Sequence, residues 1–206
     1  MDEAAPETVT ATRRAPRASI AFFIAALAIP LIPGAGSTLC LDRAAARQGE
    51  TWRLLTGHWT HGSADHLLWD ALAFLVLSWA CERREGALRL CAFLGTSALA
   101  ISLAVLCGLP ALDSYRGLSG IDSALFVWLA AGERTRAART GEGAHSALWA
   151  GALAAFLAKA AREVLHGGTI FVDSEGAGLV PVPLAHLVGA ALGAAATLLP
   201  PRSRGV

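Results

Sequence analysis

The sequence predicts an all-α membrane protein, six transmembrane helices in a bundle, with a first outer loop embedded in the membrane surface. Three observations predict it. The 206 residues are 54% hydrophobic and only 16% charged, where a soluble domain carries about a quarter, and mean hydropathy is +0.50. The apolar residues gather into six blocks. The basic residues between those blocks favour alternate sides.

Residues 1–17 are rich in Ala, Thr, Pro, Glu and Arg and too polar to bury, which predicts a disordered tail. Arg13, Arg14 and Arg17 precede an apolar run as in a secretory signal. More hydrophobic segments follow, so the run reads as a first membrane helix, 18–38. Leu39 is too large for a lipoprotein cleavage site before Cys40. The segment 39–65 holds Trp52, His58, Trp59 and His61, the aromatic and polar mixture of a partly embedded interfacial loop.

Five more spans follow at 66–81, 87–109, 118–132, 144–166 and 182–200, on an expectation of about 20 apolar residues per crossing. The membrane domain is therefore 18–200, and 201–206 is a short second tail. Glu82, Arg83, Arg84, Glu85 and the charged stretch 133–142 read as solvated inner loops, and the Gly-rich stretch 167–178 as a flexible outer loop. Cys40, Cys81, Cys91 and Cys107 are scattered among apolar blocks and read as small core residues.

With the N-terminus inside, eleven of the 17 basic residues fall on inner segments. The positive-inside rule then puts both termini in the cytoplasm. A net charge of +1 offers no basic face for nucleic acid, and no zinc-type Cys/His spacing is present. No cofactor or metal is expected. The expected partners are membrane lipids and other transmembrane proteins, and small-residue faces permit self-association without requiring it.

In this topology spans two, four and six begin at the outer face. His66 opens the second, Ser119 the fourth, and His186 lies about a turn into the sixth, so three polar residues share one depth. Intramembrane polar groups are costly and usually functional. The fourth span, read as fourteen residues, would rise about 21 Å against roughly 30 Å of hydrocarbon. Its outer end should then form the floor of a water-accessible hollow.

Ser119 at a helix start would meet unpaired N–H groups and the positive end of the helix dipole, which suit an oxyanion. Gly117 and Gly120 let backbone and substrate approach. The plain alternative is a helix cap with packing glycines. Gly189 and Gly193 share a face with His186, and small residues spaced by four allow close packing in membranes. Against Gly120 and Ala124 of the fourth span, that face would bring His186 to Ser119. His66 and Asp70 lie four apart on one helical face. A metal site from His58, His61, His66 and Asp70 is weaker, since only His66 and Asp70 have a fixed relation.

Five motifs in order resemble the rhomboid-family intramembrane serine proteases. They are Trp52-Arg53-Leu54-Leu55-Thr56, His61-x4-His66-x3-Asp70, Glu82-x3-Gly86, Gly117-Leu118-Ser119-Gly120, and His186-x2-Gly189-x3-Gly193. The resemblance implies a six-helix core with a Ser–His dyad rather than a triad. Ser119 would match the nucleophile and His186 the general base. His66 would match the oxyanion-side histidine, and Trp52 and Arg53 the pair that anchors the embedded loop. Glu82 would anchor the inner loop. The compact layout and the lead-in Val182-Pro183-Leu184-Ala185-His186 further resemble the rhombosortase branch. That branch is thought to process proteins ending in a Gly-Gly motif, a transmembrane helix and a basic tail.

Asp70 departs from the pattern, which usually has Asn. An ionised carboxylate would repel an oxyanion. A protonated Asp70 would donate to it, or Asp70 would orient His66 and leave the oxyanion to His66 and backbone amides. Asp122 and Ser123 also stand where apolar residues are commoner, and Asp122 reads as a polar contact between helices. The implied activity is cleavage of transmembrane substrates near the outer face, in a bacterial plasma membrane. The rival is an inactive relative that binds transmembrane helices without cutting them. A transporter would continue its polar path to the inner face, where these spans are apolar.

Overall fold

The computed structural model describes residues 15–166 and 182–199. The two tails and the Gly-rich stretch 167–178 fall wholly or largely outside the described residues. Within them the chain is mostly helical, with connecting turns and one ribbon of two strands, two residues each.

Helix α1 (Arg17–Ala28) runs on through a 3-10 turn (Ile29–Leu31), where Pro30 removes a backbone donor. Gly34, at φ 78°, then starts the short α2 (Ala35–Leu39). The first predicted span is therefore broken near its outer end. The following loop folds as β1 (Leu41–Asp42), α3 (Arg43–Arg47), α4 (Arg53–Thr56) and a 3-10 turn at Gly57–Trp59. Helices α5 (Ala64–Glu85) and α6 (Ala87–Gly108) form an antiparallel pair joined at Gly86, whose φ of 88° makes the sharp turn. Then come β2 (Ser114–Tyr115), α7 (Ser119–Arg139), α8 (Gly143–His166) and α9 (Pro183–Ala196).

By length and composition α5 and α6 suffice to cross a membrane, with mean hydropathy of 1.3 and 2.2. Helix α9 and the run Arg17–Leu31 are apolar but shorter. Helix α7 corrects one expectation. It continues through Arg134, Arg136 and Arg139 for 21 residues, about 31 Å, so shortness does not sink its outer end. The apolar block ends where the charges begin, and sequence hydropathy cannot see the helix running past it.

Helix α7 is central and packs on α5, α6, α8 and α9. Phe74, Leu90, Ile101, Leu118, Ile121 and Leu125 are wholly enclosed around it. The outer surface is also apolar: Leu31, Val76, Leu88, Leu148, Leu157 and Leu165 are each at least 61% exposed. Exposed apolar surface spread over this many helices is costly in water and satisfied in lipid. The bundle is built to stand in a bilayer.

Buried charges tie the ends together. Glu82, on α5, accepts from Ala18 N at 3.1 Å and from Ser19 N and Oγ at 2.7 and 2.6 Å. It thereby caps the start of α1, which has no side-chain cap of its own. Arg43 performs the converse. Its guanidinium donates to the carbonyls of Leu106, Leu109 and Leu112 at 2.7 to 2.9 Å, closing the C-terminal end of α6.

Candidate active site

The loop before α7 is positioned by the ribbon. Leu41 pairs with Tyr115 and Asp42 with Ser114 in antiparallel register, and Arg43 N donates to Asp113 O at 2.9 Å. Arg53 holds the other side, donating to the carbonyls of Ser37 and Cys40 at 2.7 and 2.8 Å and to Glu50 Oε2 at 2.6 Å. Trp52 makes no comparable anchor, since it is 48% exposed. Trp59 does the internal packing, stacked on Phe22 and edge-on to Phe74. Arg53 pins the loop through the Ser37 and Cys40 carbonyls, and Arg43 joins it.

His58 is wholly enclosed beneath this loop, its Nε2 2.9 Å from Ala98 O and 3.0 Å from Ser102 Oγ. Burial holds its pKa down at about 4. The Tyr115 ring packs edge-on against it, and burial pushes that phenol far above its ordinary range. His58 is therefore a neutral packing residue, whereas His61 and His66 turn towards Asp70.

Gly117 turns the chain into α7 at φ 108°, a conformation that favours glycine. A Cβ there would also strike His66 Nε2 and crowd Asp70 Oδ2. The residue before the helix is Leu118, which has no side-chain cap. The cap comes from α5. Asp70 Oδ2 accepts from Leu118 N at 2.8 Å and Ser119 N at 3.2 Å. The same oxygen lies 3.1 Å from His66 Nε2 and 3.4 Å from His61 Nε2.

This corrects the expectation for the helix start. Asp70 does not leave the backbone amides open beside Ser119; its carboxylate occupies them. The helix dipole favours a negative charge at that spot, which is why the acid settles there. His66 and Asp70 share one face, as their spacing predicts, and both meet the start of α7.

Ser119 is the first residue of α7 and does not cap it. Its Oγ lies 3.0 Å from His186 Nε2. His186 comes from the first turn of α9, which Pro183 opens, and is buried. The two helices meet through small residues. A Cβ on Gly189 would overlap Gly120 O, and one on Gly193 would overlap Ala124 O and sit 2.9 Å from Trp128 N. A Cβ on Gly120 would in turn lie 3.2 Å from Ala185 O.

Sequence reasoning missed Glu163. This residue of α8 is 2% exposed and places Oε2 2.8 Å from His186 Nδ1. Its Oε1 accepts from Lys159 Nζ at 2.6 Å. The signal was present: a Lys and a Glu four apart inside an apolar span are an intramembrane ion pair, which marks a site by default. Asp122 is buried, and its Oδ1 has no hydrogen-bond partner among the described residues, so the expected polar contact through that oxygen is not seen.

The arrangement places a hydroxyl on an imidazole, an imidazole on a carboxylate, and an anion on two amides beside the hydroxyl. A comparison with curated proteins finds no match. The family model for the Rhomboid domain matches residues 48–202, which take in Trp52, Arg53, His66, Asp70, Ser119, Glu163 and His186. The chain belongs to the rhomboid family, whose members are generally intramembrane serine proteases.

Proposed function

We propose that this protein is an active intramembrane serine endopeptidase with six spans and both termini in the cytoplasm. It cleaves transmembrane substrates near the outer face. The observation that carries the proposal is the 3.0 Å approach of Ser119 Oγ to His186 Nε2, enclosed by helices whose outer surface is apolar. A serine hydroxyl is a weak nucleophile until a base takes its proton.

Ser119 Oγ attacks the peptide carbonyl while its proton passes to His186 Nε2. The imidazolium then protonates the leaving amine as the C–N bond breaks. Water gives a proton to the same nitrogen and attacks the acyl-enzyme, and Ser119 recovers its hydroxyl. The oxyanion must form near Leu118 N and Ser119 N, where Asp70 Oδ2 now sits. The substrate carbonyl takes those donors as Asp70 turns aside, with His66 remaining at hand.

The rhombosortase-like lead-in at 182–186 supports substrates with Gly-Gly sorting tails. An inactive helix-binding relative is the rival, and the Asp70 carboxylate on the amides is what favours it. The pairing of Ser119 with His186 weighs against it, because binding alone gives no use for that contact.

The test is cleavage of a single-span reporter carrying a Gly-Gly motif, a transmembrane helix and a basic tail in reconstituted vesicles. Wild type should cut it, and Ser119→Ala should not while remaining folded. Cleavage retained in Ser119→Ala would sink the mechanism.

A further inference from the structure

We infer that Glu163 is a positioning residue for His186, converting the Ser–His pair into a Ser–His–Glu relay that spans α7, α9 and α8. The inference rests on the reading of Ser119 and His186 as nucleophile and base. It goes beyond that reading because the resemblance implies a dyad alone.

The geometry is specific. Glu163 Oε2 lies 2.8 Å from Nδ1, on the opposite side of the ring from Ser119. An ionised carboxylate only accepts, so it fixes the proton on Nδ1 and leaves the Nε2 lone pair free for the Ser119 hydroxyl. Lys159 Nζ, 2.6 Å from the second oxygen, keeps the carboxylate charged and locks its rotamer. An unpaired buried carboxylate would be expensive at this depth; the i,i+4 ammonium on the same helix offsets that cost.

Glu163 makes and breaks no bond to substrate. When the Ser119 proton reaches Nε2, the imidazolium lies against a fixed negative charge, and Glu163 stays ionised until the proton leaves with the amine. Glu163 of α8 meets the His186 ring directly; on the far side of Ser119, Asp70 of α5 accepts from the Ser119 amide with His66 beside it, and Asp122 is buried in the first turn of α7. Of these charged groups, Glu163 alone has a hydrogen-bonded contact with the ring among the described residues.

The experiment joins two readouts on the full chain in detergent. The first is the rate of fluorophosphonate labelling of Ser119 across pH. The second is the ¹⁵N and proton spectrum of histidine-labelled protein, with His186 assigned by its absence in His186→Ala. Wild type should show Nδ1 protonated with a strongly downfield proton. Glu163→Gln should lose that proton, label about 100-fold more slowly or worse, and shift the acid limb of its pH profile to lower pH. Glu163→Asp should recover part of the rate.

A purely structural role would scale the amount of active protein without moving the limb. If Glu163→Gln alone fails to fold, the paired Lys159→Gln/Glu163→Gln variant removes both charges together. Equal labelling with an unchanged limb would overturn the inference, as would a wild-type His186 protonated on Nε2. A folded wild type that never labels would refute the protease reading instead, while the histidine spectrum would still decide the Glu163 contact.

Discussion

Gly189 of α9 lies so close to the backbone carbonyl of Gly120 in α7 that a Cβ would overlap it. That contact sets the spacing of the two helices, and the spacing sets the distance from His186 to Ser119. Gly189→Ala should destabilise by about 1–3 kcal/mol through overpacking, and activity should fall further than stability does. Gly151→Ala on α8, where a Cβ meets nothing within 4 Å, is the control and should be neutral or slightly stabilising. Thermal unfolding with labelling of both variants checks this; equal activity in the two would disprove the spacing argument.

Asp70 puts a carboxylate where an oxyanion would have to form. Asp70→Asn removes that charge and keeps the size. It should raise the fluorophosphonate labelling rate about tenfold, since oxyanion-hole donors are worth about 100-fold or more when free to act. A fall in labelling would instead assign Asp70 to holding His66 in place.

Arg43 closes the end of α6 with three carbonyl contacts of 2.7 to 2.9 Å. Arg43→Met keeps the length and removes the donors, leaving the partly buried carbonyls of Leu106 and Leu112 without the guanidinium. Charge-assisted bonds contribute about 1.5–3 kcal/mol each, and part of that is lost to water and repacking, so a cost of about 3 kcal/mol is expected. Trp52→Ala, half-exposed on the same loop, should cost under about 1 kcal/mol in detergent. Melting temperatures of the two variants would rank them.

His58 is neutral when folded, with a pKa of about 4 against 6.5 for the free side chain. The unfolded chain therefore binds the extra proton first. Its contribution to stability is full above pH 6.5 and falls as pH drops towards 4, on the order of 3 kcal/mol in total. His58→Gln should flatten that part of the stability profile. A profile as steep as wild type would place the acid sensitivity elsewhere.

Much of the architecture was legible because membrane spans announce themselves as apolar blocks. The positions of α5, α6 and α8 follow from hydropathy to within a few residues. The continuation of α7 past Gly132 was not legible, since charged residues extend a helix into water as readily as they end one. Gly120, Ala124, Gly189 and Gly193 were readable as a packing seam from their spacing of four. The capping roles of Glu82, Arg43 and Asp70 were not, because each acts on a helix far away in sequence. Asp70 reaches α7 across 48 residues. Glu163 was visible as an ion-paired acid in an apolar span, but its partner His186 lies 23 residues on, in a different helix.

The most direct measurement is fluorophosphonate labelling of membranes containing wild type, Ser119→Ala and His186→Ala, with folding confirmed for each. Labelling of wild type that disappears in both variants is the expected result, because the hydroxyl reacts only when the imidazole takes its proton. A folded wild type that stays unlabelled, or a His186→Ala variant that labels at the wild-type rate, would contradict an activated Ser119–His186 pair.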